Sequence, residues 1–161
     1  MVVVRWLVRI VAGLVGIGAL VFVGARFHDG PLGLIPGGGF ASGEEVGEPV
    51  ADWSFVKDAE VVELQLDAEA GSRTVWILVH EGRAYVPCSL DFPPGKRWHR
   101  KAVLDGRATL RIEGRRYPVV LTKTEDAALA SALRQEVERK YGRLPPSDSG
   151  VWIFQVASRG A

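Results

Sequence analysis

From Trp6 to Ala25 the chain runs for 20 residues with a single charge, Arg9. A helix that is apolar on every side has only a large protein core or a bilayer to go to. At about 1.5 Å rise per residue it reaches across the roughly 30 Å hydrocarbon layer. Arg5 and Arg9 stand at its start, where the Arg9 stem can snorkel to the headgroups, and Trp6 suits the interface. Basic residues ahead of the span predict a cytoplasmic N-terminus, with everything after Ala25 on the outer, periplasmic or extracellular, side. The small residues Val23-Gly24-Ala25 also suit signal-peptide cleavage. The glycines at 13, 16 and 18 do not form the small-xxx-small pairing motif. Residues 1–29 therefore read as a membrane anchor or a signal peptide.

Residues 30–49 change character. Gly30-Pro31-Leu32-Gly33-Leu34-Ile35-Pro36-Gly37-Gly38-Gly39 suits neither a helix nor a central strand. It reads as a linker that packs on the C-terminal domain through Leu32, Leu34, Ile35 and Phe40. No strand precedes the glycines and no helix comes after them, so they are not a nucleotide-binding loop.

Residues 50–161 carry the periodicity of one domain. Val62, Leu64 and Leu66 alternate with polar residues, which predicts a half-buried strand. Val75 to Val79 is apolar on both faces and reads as a central strand. Glu81-Gly82 turns it into Ala84-Tyr85-Val86, and Gly114 turns Ala108–Ile112 into Tyr117–Leu121, giving two hairpins. Pro87 and Pro118 lack a donor and belong at edges or bulges. A helix comes next, with Thr124 as its cap, Leu129, Leu133, Val137 and Tyr141 as its apolar stripe, and Gly142 as its stop. Beyond a Pro145-Pro146 loop, Val151–Val156 predicts a last strand. The sum is a mainly β, α+β domain: a small closed or partly open antiparallel barrel with one or two helices, with a sandwich as the alternative.

Cys88 stands alone, which excludes an internal disulfide, and His28, His80 and His99 are not spaced as metal ligands. Residues 30–72 hold nine acids and one base, whereas 73–123 hold eleven bases and four acids. Two halves of opposite sign can attract each other within one fold. No nucleic-acid motif is present. The densest cluster is Lys96-Arg97-Trp98-His99-Arg100-Lys101, which can hold a phosphate or an anionic headgroup. Trp98 within it either stacks on a ligand ring or wedges into the core. Ser72, Thr74 and Ser89 offer hydroxyls around the first hairpin, where turn chemistry accounts for them equally well. Cys88 reads as a small buried hydrophobe. Glu44-Glu45, in a glycine-rich segment, is a poor setting for acid–base geometry.

The order of Arg73–Trp76, the Glu81-Gly82 turn, Ala84-Tyr85-Val86, the loop to Lys96-Arg97-Trp98, the short helical Lys101-Ala102-Val103-Leu104 and the strand Ala108–Ile112 resembles the flavin-binding split-barrel superfamily. Within it, the order resembles the pyridoxamine-phosphate-oxidase-like proteins and the deazaflavin-dependent nitroreductase-like proteins. The resemblance spans roughly residues 50 to 156. It implies a six-stranded Greek-key barrel, a homodimer, and FMN or a deazaflavin bound near the subunit interface. Carried over, Arg73 and Thr74 line the cofactor strand, Ser89 ends the next strand, and Lys96, Arg97 and Trp98 form the loop at the phosphate or ring. Where the deazaflavin group has Gly-Arg-x-Ser-Gly, this chain has Glu69-Ala70-Gly71-Ser72-Arg73. Three functions stand side by side: a membrane-anchored oxidoreductase, a cofactor-free binding or assembly module at the membrane surface, and a lipid-headgroup binder.

Overall fold

The computed structural model describes residues 2–142 and 150–159. Helix α1 (Val2–Ala25) is followed by β1 (Glu44–Glu45), a 3-10 turn at Ser54–Val56, and β2 (Val61–Leu66). Then come β3 (Ser72–Trp76), β4 (Leu78–His80), β5 (Arg83–Ser89), α2 (Trp98–Leu104) and β6 (Arg107–Ile112). Strand β7 (Arg115–Lys123), α3 (Ala127–Tyr141) and β8 (Val151–Ser158) complete the chain. The Pro145-Pro146 loop lies outside the described residues.

The strands pair in the order β3-β2-β6-β7-β8-β5-β4. Since β3 and β4 are consecutive stretches separated only by Ile77, the two ends of that order are one piece of chain. Its first half pairs with β2, Trp76 opposite Val61, and its second half with β5, Leu78 opposite Tyr85. The sheet thus closes on itself as an antiparallel split barrel of six strands, counting β3 and β4 as one and leaving aside the two-residue β1 that runs parallel to β7.

The run Val75–Val79 is consequently two short strands rather than one central strand. At Ile77, where the partner changes, the backbone would be left without a ladder. Helix α3 supplies the missing partners: Tyr141 Oη accepts from the Ile77 N–H at 3.1 Å and donates to its carbonyl at 2.7 Å. Lys140 Nζ donates to the carbonyls of Ile77, Ala59 and Lys57 at 2.6–3.0 Å. Tyr141 also lies flat on Trp76, with ring centroids 4.2 Å apart.

Both hairpins turn on Glu-Gly with positive φ at each residue: 49° and 73° at Glu81-Gly82, and 49° and 77° at Glu113-Gly114. This left-handed pair matches the twist of the flanking strands. Leu64, Leu66, Ala108, Leu110, Val119 and Phe154 fill the barrel, as the period-two alternation requires. Pro87 lies past the last residue of β5 paired with β4, and Pro118 between the stretches of β7 that pair with β1 and with β8. Pro87 stands opposite Ile153 of β8 and Pro118 opposite Thr109 of β6, and the Pro118 carbonyl accepts from the Arg159 N–H at 2.9 Å where the β7–β8 pairing ends.

Helix α3 buries Leu133 and Val137 on a second apolar cluster with Leu78, Tyr85 and Ile153, and Leu129 and Tyr141 pack against it. Gly142 ends it at φ 69°. Its cap is Asp126 rather than Thr124: the Asp126 carboxylate accepts from the N–H groups of Ala128 and Leu129 at 2.8 and 3.0 Å. Asp126→Ala should lower stability by about 1 kcal/mol, while Thr124→Ala should leave it within about 0.5 kcal/mol. Urea unfolding of the two variants distinguishes them.

The glycine-rich segment is a strap bound to the barrel through its backbone. Gly37 and Ser72 exchange main-chain hydrogen bonds, and the Gly38 N–H donates to the His28 carbonyl at 3.0 Å. A Cβ at Gly37 would stand 1.7 Å from the Gly30 carbonyl oxygen, so only glycine fits. The Asp29 carboxylate accepts from the Ala41 N–H at 2.8 Å, from Ser42 Oγ, and from Arg111 Nη1 at 2.7 Å. These bonds hold its carboxyl well below the usual carboxylate range. Phe40 lies under the Arg111 guanidinium, 4.5 Å from centroid to Cζ, whereas Leu32 and Leu34 are exposed.

Helix α1 is long and apolar enough to cross a membrane from Val3 to Ala25, and from Val3 to Gly24 its side chains are exposed.

Candidate functional site

Because β3 leaves with β2 while β5 continues with β8, the two strands diverge beyond Ile77. A cleft of about 510 Å³ occupies the split. Arg73, Val75 and Trp76 line it from β3, and Pro87, Cys88 and Ser89 from β5. Leu34 and Pro36 line it from the strap, Phe92 and Pro93 from the loop after β5, and Lys96 and Trp98 from the start of α2. Its size and mostly apolar walls with a few charges are those of a small-molecule site.

Five of the six residues singled out from sequence meet here: Arg73, Thr74, Ser89, Lys96 and Trp98. Arg97 does not. It is exposed at the N-cap of α2 and stands outside the lining.

Their individual roles differ from a phosphate cradle. Thr74 Oγ1 donates to the Gly33 carbonyl at 2.6 Å, and Ser72 Oγ to that of Gly38 at 2.6 Å, so both hydroxyl protons hold the strap. Ser89 Oγ accepts from the Phe92 N–H at 3.0 Å, shaping the loop. Trp98 is 4% exposed and packs on Phe154 at 5.5 Å between centroids, so it is a core residue with one edge at the cleft.

The charge in the cleft comes from Arg73 and Lys96. The Arg73 guanidinium lies 5.8 Å from the Trp98 ring centroid and pairs through Nη2 with Glu69, which also takes Lys101 Nζ at 2.8 Å. Its Nε is buried with no hydrogen-bond partner. Burial pushes the guanidinium pKa down, and Glu69 opposes that. Burial likewise pushes the Cys88 thiol up to about 11, while Lys96 and Arg73 pull it back. At neutral pH Cys88 is therefore a protonated wall of the cleft, not a nucleophile.

His99, part of the basic run, is buried behind Trp98 and edge-on to Trp152 at 5.3 Å. Burial first, then Lys96 and Arg100, lowers its pKa, so it is neutral. The run is thus a helix start with two buried aromatic rings and a cationic outer face. The opposite charges of the two chain halves meet as the pairs Glu69–Arg73, Glu69–Lys101 and Glu63–Arg111.

Sequence reasoning missed the apolar walls, Leu34, Pro36, Trp76, Phe92 and Pro93. The signal was present in the proline and aromatic residues flanking each charged stretch.

No protein-family model matches the sequence, and no curated protein matches it. Among solved structures, the chain is similar to one from Listeria innocua, provisionally named a pyridoxamine 5'-phosphate oxidase. Identity is 12%, the match covers 66% of this chain and 89% of that one, and the TM-score is 0.49. The split barrel itself stands on the strand register above.

Proposed function

We propose that this protein is a membrane-tethered barrel that binds a flat organic anion, of the flavin or deazaflavin type, in the split between β3 and β5. The observation that carries the reading is the cleft itself: apolar, proline- and tryptophan-lined walls with Lys96 and the unpartnered Arg73 Nε at one end. A planar ring suits the walls, and an anionic group suits the two cations. A flavin bound there would supply hydride or single-electron transfer. Lys96 and Arg73 would hold its anionic group, and the strap and the Phe92 loop would exclude water from its ring. Arg5 and Arg9 support a cytoplasmic N-terminus and a barrel on the outer side.

A cofactor-free binding module remains the second reading. The engaged hydroxyls of Thr74 and Ser89 and the burial of Trp98 favour it.

The test is a titration of the full-length protein with flavin mononucleotide and a deazaflavin, followed by visible absorption and tryptophan fluorescence. Lys96→Ala removes a charge-assisted hydrogen bond worth roughly 1.5–3 kcal/mol, so binding should weaken tenfold or more. Arg97→Ala should change nothing. Absence of binding to the wild type leaves the cofactor-free module. Equal loss from both variants removes the cleft as the binding site.

A further inference from the structure

Large apolar side chains that remain in water on a folded domain mark contact surfaces. Among the described residues outside α1, Leu34 is 89% exposed and Phe27 and Leu104 are 87% exposed, while Phe55, Val61, Phe92 and Val103 are about half exposed. Leu34 from the strap and Phe92 from the loop after β5 both line the same cleft, as does Lys96. Arg97, the N-cap of α2, follows it directly, and Arg100 lies within the first turn of the helix, both of them exposed. Apolar tips flanked by exposed cations are the composition of a surface that sits in the headgroup layer.

The tether leaves the barrel little freedom. The N–H groups of Arg26, Phe27 and His28 donate back to the carbonyls of Val23, Gly24 and Ala25 at 3.0–3.1 Å, so the helix ends in a turn without slack. The very next link, the His28 carbonyl, is bonded to Gly38. Thr74 then holds the strap tip at Gly33, one residue from Leu34. The rim of the cleft is therefore carried by the same closed loop that receives the end of α1.

We infer that the mouth of the cleft is a membrane-contact face: Leu34 and Phe92 dip into the surface of the bilayer that α1 enters, and the exposed Arg97 and Arg100 meet its anionic headgroups. The inference rests on α1 spanning that bilayer, and it does not depend on which anion binds.

The experiment uses the full-length chain in vesicles of phosphatidylcholine and phosphatidylglycerol. In a Cys88→Ser background, Leu34→Cys, Phe92→Cys or Arg139→Cys receives an environment-sensitive fluorophore. All three positions are exposed, and unchanged thermal unfolding of each labelled protein confirms that it is folded. Doxyl-labelled lipid should remove most of the signal at positions 34 and 92 and little at 139, with aqueous iodide giving the reverse. Iodide quenching at 34 and 92 equal to that at 139, in protein that resists a carbonate wash, overturns this inference and leaves the anchor intact. Removal of the protein by the wash overturns both.

Discussion

Leu14→Arg with Val15→Arg is expected to release the protein from the membrane fraction. Both positions lie mid-way along α1, where the side chains are exposed over the whole span. A charge at the centre of a spanning helix costs about 2.5–3.5 kcal/mol on the insertion scale, so two cost about 5–7 kcal/mol. Neither can snorkel as Arg9 does, because each is several turns from an interface. Wild-type protein should stay in the pellet after alkaline carbonate extraction at its full-length mass. The variant should appear in the supernatant or be degraded. A wild-type chain recovered in solution and beginning near Arg26 would establish instead that the segment is a cleaved signal peptide.

Trp98→Ala should destabilise the barrel by about 3–5 kcal/mol, the range for truncating a buried large aromatic. Trp98 lines the cleft, packs on Phe154, and carries the Arg73 guanidinium on its face. Removing it leaves a hole beneath a half-buried cation. For a domain of this size the melting temperature should fall by roughly 10–20 °C. Scanning calorimetry or thermal circular dichroism measures the shift. An unchanged melting temperature with lost ligand binding would make Trp98 a stacking platform and overturn its place in the core.

The barrel was legible because alternation survives in single strands: Val62, Leu64 and Leu66, and Ala108, Leu110 and Ile112, are the inward residues of β2 and β6. The Glu-Gly turns were legible for the same local reason. The break at Ile77 was not, since a strand shared by two partners and a strand buried on both faces have the same apolar composition. Only the distant Lys140 and Tyr141 distinguish them. The helix cap moved from Thr124 to Asp126 because either residue can cap and the strand ran two residues further than its hydrophobic pattern, to Lys123.

The cleft residues were legible as a set, but their roles were not. Hydroxyls at Thr74 and Ser89 suggest ligand contact in a sequence, yet here they are taken up by the strap and the loop. Arg97 and Lys96 are neighbours with the same charge, and one turn of backbone at the start of α2 sends them to different surroundings. Burial, which decides each case, is a property of the closed sheet.

Ile77 gives the barrel a latch. Two adjacent strands with free backbone edges tend to zip together, and β3 and β5 stop short of doing so where a tyrosine hydroxyl and a lysine ammonium take up the backbone of the residue between the two pairings. These groups belong to α3, which lies outside the wall. The end of α3 thus sets the point at which the two strands part, and its Tyr141 backs one wall of the cleft by lying flat on Trp76.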